Sequence, residues 1–228
     1  MFMKNLKPLA AGLIAAGCWL ASSTVHAQVV NGSLTGPIAN TSVPDGWINI
    51  NNTADTMDAN NNVGVAGLAD FSATPSASPD GGTWVGVGAD SAYIETFGQH
   101  LTGLTVGQTY SVSWHDANFG VESLGYNNPN SFKALIDGTS IGSGGIRSVG
   151  TSWYDESVSF TATASTATLA FELASDAKSY LSIDGISIAT TVNPIPEPET
   201  WALMLAGLGF VARRANARRS KQAAAISN

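Results

Sequence analysis

Residues 109–114 read Thr109-Tyr110-Ser111-Val112-Ser113-Trp114, with a large apolar side chain at every second position and a serine between. A period of two puts Tyr110, Val112 and Trp114 on one face of an extended chain and the serines on the other, as in a strand buried on one side. The same alternation recurs at Val158, Phe160 and Ala162 against Ser157, Ser159 and Thr161. It recurs again at Leu169, Phe171 and Leu173 against Thr168, Ala170 and Glu172. Outward from these runs, segments bounded by Gly, Asn, Ser and Pro clusters predict strands near 28–34, 46–51, 63–71, 83–88, 91–97, 108–115, 131–137, 156–163, 166–174 and 179–189. No helical period interrupts them. Many short strands at this spacing predict an all-β fold, a β-sandwich or jelly roll. Trp47 and Trp114 fall on its core side.

Charge excludes a class of partner. Between Gln28 and Val192 stand 15 Asp and Glu against Lys133, Arg147 and Lys178, a net charge of −12. Phosphate contacts depend on Lys and Arg, so nucleic acid is excluded as a partner. The single cysteine, Cys18, precedes this region, so the body has neither a disulfide nor thiol chemistry. Packing, or a metal ion, has to stabilise it.

Both ends are apolar. Lys4 and Lys7 precede an apolar stretch from Leu9 to Ala21, and Val25-His26-Ala27 has the small-residue pattern of a signal-peptidase site. Residues 1–27 therefore read as a signal peptide cut between Ala27 and Gln28. Ala15-Ala16-Gly17-Cys18 offers a competing lipoprotein reading with Cys18 acylated, although Ala15 stands where a branched aliphatic residue is usual. At the other end, residues 193–228 carry Pro196-Glu197-Pro198, an apolar run from Trp201 to Ala212, and then Arg213, Arg214, Arg218, Arg219 and Lys221. The two prolines predict an extended, exposed segment that a processing enzyme can grip. The apolar run predicts a short transmembrane helix of roughly 18 Å with its basic end on the cytoplasmic side. That is short of a full crossing, and suits a temporary anchor.

Motif, apolar run and basic end, in this order, closely resemble the PEP-CTERM sorting signal of Gram-negative bacteria that make exopolysaccharide. The resemblance implies export, a transient inner-membrane intermediate and processing by an exosortase-type enzyme at Pro196, Glu197 and Pro198. The product is expected at the cell surface or in the extracellular matrix of a biofilm. The body, residues 28–192, carries Val30-Asn31-Gly32-Ser33-Leu34, then Pro44-Asp45-Gly46-Trp47, LTGLTVGQTYSVSW and finally YLSIDGISI. This order resembles the galactose-binding-like jelly rolls, which include many carbohydrate-binding modules. Relatives often hold a structural calcium between a glutamate after the opening strand and an aspartate of the last strand. Asp184 matches the second partner, while Thr35 stands in place of the first.

Candidate sites follow from side-chain chemistry. Calcium takes oxygen ligands, mostly carboxylates and carbonyls, so Asp184 is its best candidate. The run from Asp55 to Asn62 is rich in oxygens but reads as an Asn-rich turn. Glycan binding uses aromatic platforms beside hydrogen-bonding groups. That chemistry selects Trp84, Tyr126 and Trp153, with Asn127 and Asp155 next to them. His115-Asp116 and Asp155-Glu156 are the candidate catalytic pairs, but neighbours on one strand point to opposite faces. No nucleophile elbow, zincin helix or phosphate loop appears. With only His100 and His115 in the body, zinc is not expected. The reading is a non-catalytic exported surface protein that binds exopolysaccharide; the alternatives are a structural surface protein without a ligand and a secreted glycan hydrolase.

Overall fold

The computed structural model describes residues 27–191 and 202–214. The signal segment before Ala27, the Pro196-Glu197-Pro198 motif, Arg218 and Arg219 lie outside the described residues. Eleven strands form the body: β1 (Ile48–Asn51), β2 (Asp55–Met57), β3 (Trp84–Asp90), β4 (Tyr93–Ile94), β5 (Thr96–Thr102), β6 (Thr109–Ala117), β7 (Phe132–Ile136), β8 (Thr139–Ser143), β9 (Tyr154–Thr161), β10 (Thr166–Leu173) and β11 (Ser179–Thr190). They build a β-sandwich. A five-stranded sheet runs β1-β5-β10-β7-β8, and a six-stranded sheet runs β2-β3-β11-β6-β9, with β4 paired to β3. From β5 onward the chain passes back and forth between the sheets, except at the β7–β8 hairpin, in jelly-roll fashion.

The alternation read at residues 109–114 sets the packing. Tyr110, Val112 and Trp114 join Leu169, Phe171, Leu173, Leu181 and Ile183 in one core between the sheets. Trp47 lies 5.2 Å from Phe97, and Trp114 meets Phe171 edge-on at 5.4 Å, so both tryptophans are core residues, as their positions predict. Each large side chain fully buried here stabilises the fold by about 1.5–3 kcal/mol, and no disulfide assists.

Two predicted strands are absent. Residues 28–34 form bends and turns rather than a strand. The Gln99 side chain takes over the ladder bonds there, accepting from Val30 N at 2.8 Å and donating to Val30 O at 2.8 Å. Gly32 lies so close to β11 that an added Cβ would stand 2.0 Å from the Ile186 carbonyl oxygen. The apolar pattern is genuine, since Leu34 is fully buried, but it serves an irregular segment wedged against the core. Residues 63–71 are also turns, with Asn62 donating its N–H to Leu68 O at 2.7 Å. Conversely, β2 lies where an Asn-rich turn was expected, and all three of its residues are buried. The expected run at 91–97 divides into β4 and the start of β5.

Residues 202–214 form a helix, α1, exposed along its length. At 1.5 Å per residue it spans about 20 Å, against a hydrocarbon layer of about 30 Å. Among the described residues no helix is long and apolar enough to cross a membrane.

Candidate functional site

The two faces of the six-stranded sheet have different fates. Its inner face is core. Its outer face divides into a covered half and an open half. Over the covered half, Phe71, Phe119 and Trp153 pack on Trp84, Ala117 and Tyr180 in a second apolar cluster. Trp84 and Trp153 meet edge-on at 5.3 Å, and Phe119 lies 6.0 Å from Trp84.

This arrangement sorts the expected glycan residues. Trp84 is 1% exposed, which removes it from any ligand-facing surface. It sits on the outward side of β3, but loops close over it; strand alternation cannot register that cover. Trp153 is half-buried and donates its ring N–H to Ser76 O at 3.2 Å. Tyr126 is also half-buried, with its hydroxyl 2.8 Å from that of Tyr93 and the Lys178 ammonium 4.8 Å above its ring. Asn127 is exposed and accepts from Ser72 Oγ at 2.6 Å. These groups do not converge with Asp155, which belongs to the open half. At the predicted cleavage point, Ala27 packs against the main core and Gln28 beside it is exposed.

The open half is a concavity of about 610 Å³ lined by Gly32, Ser33, Asp80, Ser113, Trp114, His115, Asp155, Glu156, Ser157, Gly185, Ile186 and Ser187. Its floor is a ladder of hydroxyls, the polar side of the alternation in β6 and β9. Ser111 and Ser157 hydroxyls lie 2.8 Å apart, as do those of Ser113 and Ser187. Strand register places His115 opposite both Asp155 and Asp184. His115 Nδ1 meets Asp155 Oδ1 at 2.7 Å, and the Asp155 side chain is 90% exposed. The other carboxylate is hidden. Asp184 is wholly buried; its Oδ2 accepts from Ser78 Oγ, and its Oδ1 has no partner. Burial raises its carboxyl to about 7, opposed by the Ser78 hydroxyl and the Gly185 N–H, while Asp80 raises it further and His115 lowers it.

Sequence reasoning missed two further clusters. Arg147 joins Asp116 (Nε to Oδ1, 2.7 Å) and Glu156, binding the 144–153 loop to the sandwich. The candidate pairs His115-Asp116 and Asp155-Glu156 are indeed split between faces. His115 and Asp155 point outward, whereas Asp116 is wholly buried and meets Arg147. Beside the covered half, Tyr180 donates to Asp55 Oδ2 at 2.6 Å, and Glu95 Oε2 accepts from Gly88 N at 2.6 Å. Burial pushes Glu95 up to about 8, the Gly88 N–H opposes that, and the nearby Asp55 adds to it. Asp116 carried a signal, an acidic residue on the inward side of the β6 alternation, whereas Asp55 stood in a run that read as a turn and gave none.

The tail carries its own chemistry. Leu203, Met204, Leu205, Leu208, Phe210 and Val211 are exposed on α1, which runs into Arg213 and Arg214. Residues 194–220 match the PEP-CTERM protein-sorting motif. The PEP-CTERM motif indicates a secreted protein sorted to the cell surface, and it leaves the sandwich unassigned. No curated protein matches the chain significantly in sequence. Among solved structures, the CBM22-1 xylan-binding domain of Paenibacillus barcinonensis Xyn10C is similar at 15% identity, covering 72% of this chain and 94% of its own, with a TM-score of 0.47. TmCBM61, solved with β-1,4-galactotriose, is similar at 14% identity, covering 71% and 99%, with a TM-score of 0.42. The EclA C-terminal domain, a sugar-binding protein, reaches 24% identity over 40% of this chain, which spans 64% of that domain, with a TM-score of 0.34. Likeness at this level decides nothing about function, which rests on the residues above.

Proposed function

We propose that this chain is a non-catalytic surface protein that binds polysaccharide in the open concavity of its six-stranded sheet. In this reading an exosortase-type enzyme processes Pro196-Glu197-Pro198 while the apolar tail rests in the inner membrane, and the product joins an exopolysaccharide matrix. The observation that carries the binding half is the concavity itself, where hydroxyls, carboxylates and an imidazole converge on one open face. Sugars offer hydroxyls as donors and acceptors, and such a face answers both. The exported protein is expected to bind at least one neutral or charged polysaccharide on a glycan array, and Ser113→Leu weakens that binding about tenfold or more. A blank array removes the binding role and leaves a structural surface protein. Glycan turnover lost in Asp155→Ala would instead establish the hydrolase, because His115 and Asp155 have the geometry of a general base and its orienting partner.

A structural calcium ion at Asp184 belongs to the same proposal. Calcium takes about six to eight oxygens. Asp184 offers a buried oxygen without a partner, with the Ser78 hydroxyl on the other oxygen and Asp80 nearby. Among the described residues no group of three or more His, Cys, Asp or Glu gathers as a metal cluster, so backbone carbonyls and water would complete the shell. At a hundredfold excess over Kd, calcium is expected to stabilise the protein by about 2.7 kcal/mol. The melting midpoint then rises roughly 5–10 °C. Asp184→Asn abolishes the rise without lowering the midpoint measured in chelator. A wild-type midpoint that ignores both calcium and chelator overturns the proposal.

A further inference from the structure

Every basic side chain of the body is already engaged. Lys133 pairs with Glu172 at 2.7 Å, Arg147 lies between Asp116 and Glu156, and Lys178 sits over the Tyr126 ring. None of the three lines the concavity, whose carboxylates are Asp80, Asp155 and Glu156. Arg147 neutralises Glu156, and His115 faces Asp155. Asp80 pairs with no cation among the described residues. Behind it Asp184, wholly buried, keeps its unpartnered oxygen. The charged groups that act on Asp184 are Asp80 and His115, both of the concavity wall. The site therefore offers a ligand no lysine or arginine.

It also lacks a stacking platform. The one tryptophan, tyrosine or phenylalanine ring lining it belongs to Trp114, which is 1% exposed. Sugar faces have no aromatic surface to cover, so affinity must come from hydrogen bonds and charge.

We infer that the concavity selects amino-sugar polymers, setting a protonated sugar amine against Asp80 and Asp155, and rejects uronic acid polymers. This rests on the polysaccharide-binding reading and names its ligand class. A uronate would meet the unpaired Asp80 with no lysine or arginine to receive it. An ammonium group supplies the missing charge, while the serine ladder receives the neighbouring hydroxyls.

The test is titration of the exported protein, in chelator and at low salt, with glucosamine oligomers, N-acetylglucosamine oligomers of equal length and oligogalacturonate. Glucosamine oligomers are expected to bind about tenfold more tightly than the acetylated ones, with no detectable binding of oligogalacturonate. Asp80→Asn and Asp155→Asn, both at exposed positions, each remove most of that preference while binding of the acetylated oligomer persists. Equal affinity for the amino and acetylated oligomers overturns the inference and leaves polysaccharide binding standing. An amine preference unchanged in the double variant also overturns it, since attraction would then come from the whole acidic domain. Failure of every oligomer to bind, together with a blank array, removes both readings at once.

Discussion

Replacing Arg147 with methionine lowers the stability of the sandwich by about 3–5 kcal/mol, the cost of removing one partner of a buried ion pair. Arg147 is 14% exposed in its side chain and Asp116 not at all. The guanidinium donates to Asp116 Oδ1 and to Glu156 Oε1, and it stacks 4.1 Å from the centre of the Tyr154 ring. Asp116 Oδ2 accepts from the Trp114 ring N–H at 3.2 Å, so this charge sits against the main core. Methionine fills part of the space but strands a carboxylate there. Burial already raises the Asp116 carboxyl, and Arg147 is the chief group opposing that. The cost of Arg147→Met therefore shrinks as pH falls and Asp116 takes a proton. Adding Asp116→Asn recovers most of the loss at neutral pH. Urea melts of the three proteins decide it. A single-variant loss under about 1 kcal/mol means that the pair is solvent-screened like a surface bridge.

The wild-type protein becomes more stable as pH falls from about 8.5 to 5. Glu95 titrates near 4.5 in the unfolded chain and near 8 in the folded one. Asp184 goes from 3.8 to about 7. Between those two values the native state holds protons that the unfolded chain has released. Stability from these groups is therefore complete below their unfolded values and is lost as pH rises through 7 and 8. Each pH unit separating the unfolded and folded values corresponds to about 1.4 kcal/mol, so the combined change is on the order of several kcal/mol. Glu95→Gln retains an acceptor for the Gly88 N–H and is expected to flatten the upper part of the profile. A midpoint that stays level, or rises, toward pH 8.5 contradicts the burial of both carboxyls. The proposed calcium ion would work in the opposite sense at Asp184, because an ion favours the charged form and would restore stability at high pH.

Much of this molecule was legible before its fold was known. Alternation at Tyr110-Val112-Trp114 and at Leu169-Phe171-Leu173 predicted strands with the correct inward face, since facing follows from backbone geometry alone. The order of motif, apolar run and basic end in the tail was likewise legible, because a sorting signal is read as linear sequence. Residues 28–34 show where this logic stops. Val29, Val30 and Leu34 look like strand, yet the close approach of Gly32 to Ile186 and the side-chain bonds from Gln99 make the segment irregular.

The candidate site was legible only in part. Asp155, Asp184 and His115 were each legible as chemistry-bearing residues, but that His115 stands opposite both carboxylates was not. That meeting depends on which strands pair with β6, and no local pattern encodes it. Trp84 failed for a related reason. Its outward position on β3 is a local property, whereas its burial comes from Phe119 and Trp153, 35 and 69 residues further along the chain. Local periodicity and linear motifs thus carried the strand faces and the address of this protein. Long-range pairing and loop cover selected which half of one sheet stays open to solvent, and so which of its polar residues can meet a ligand.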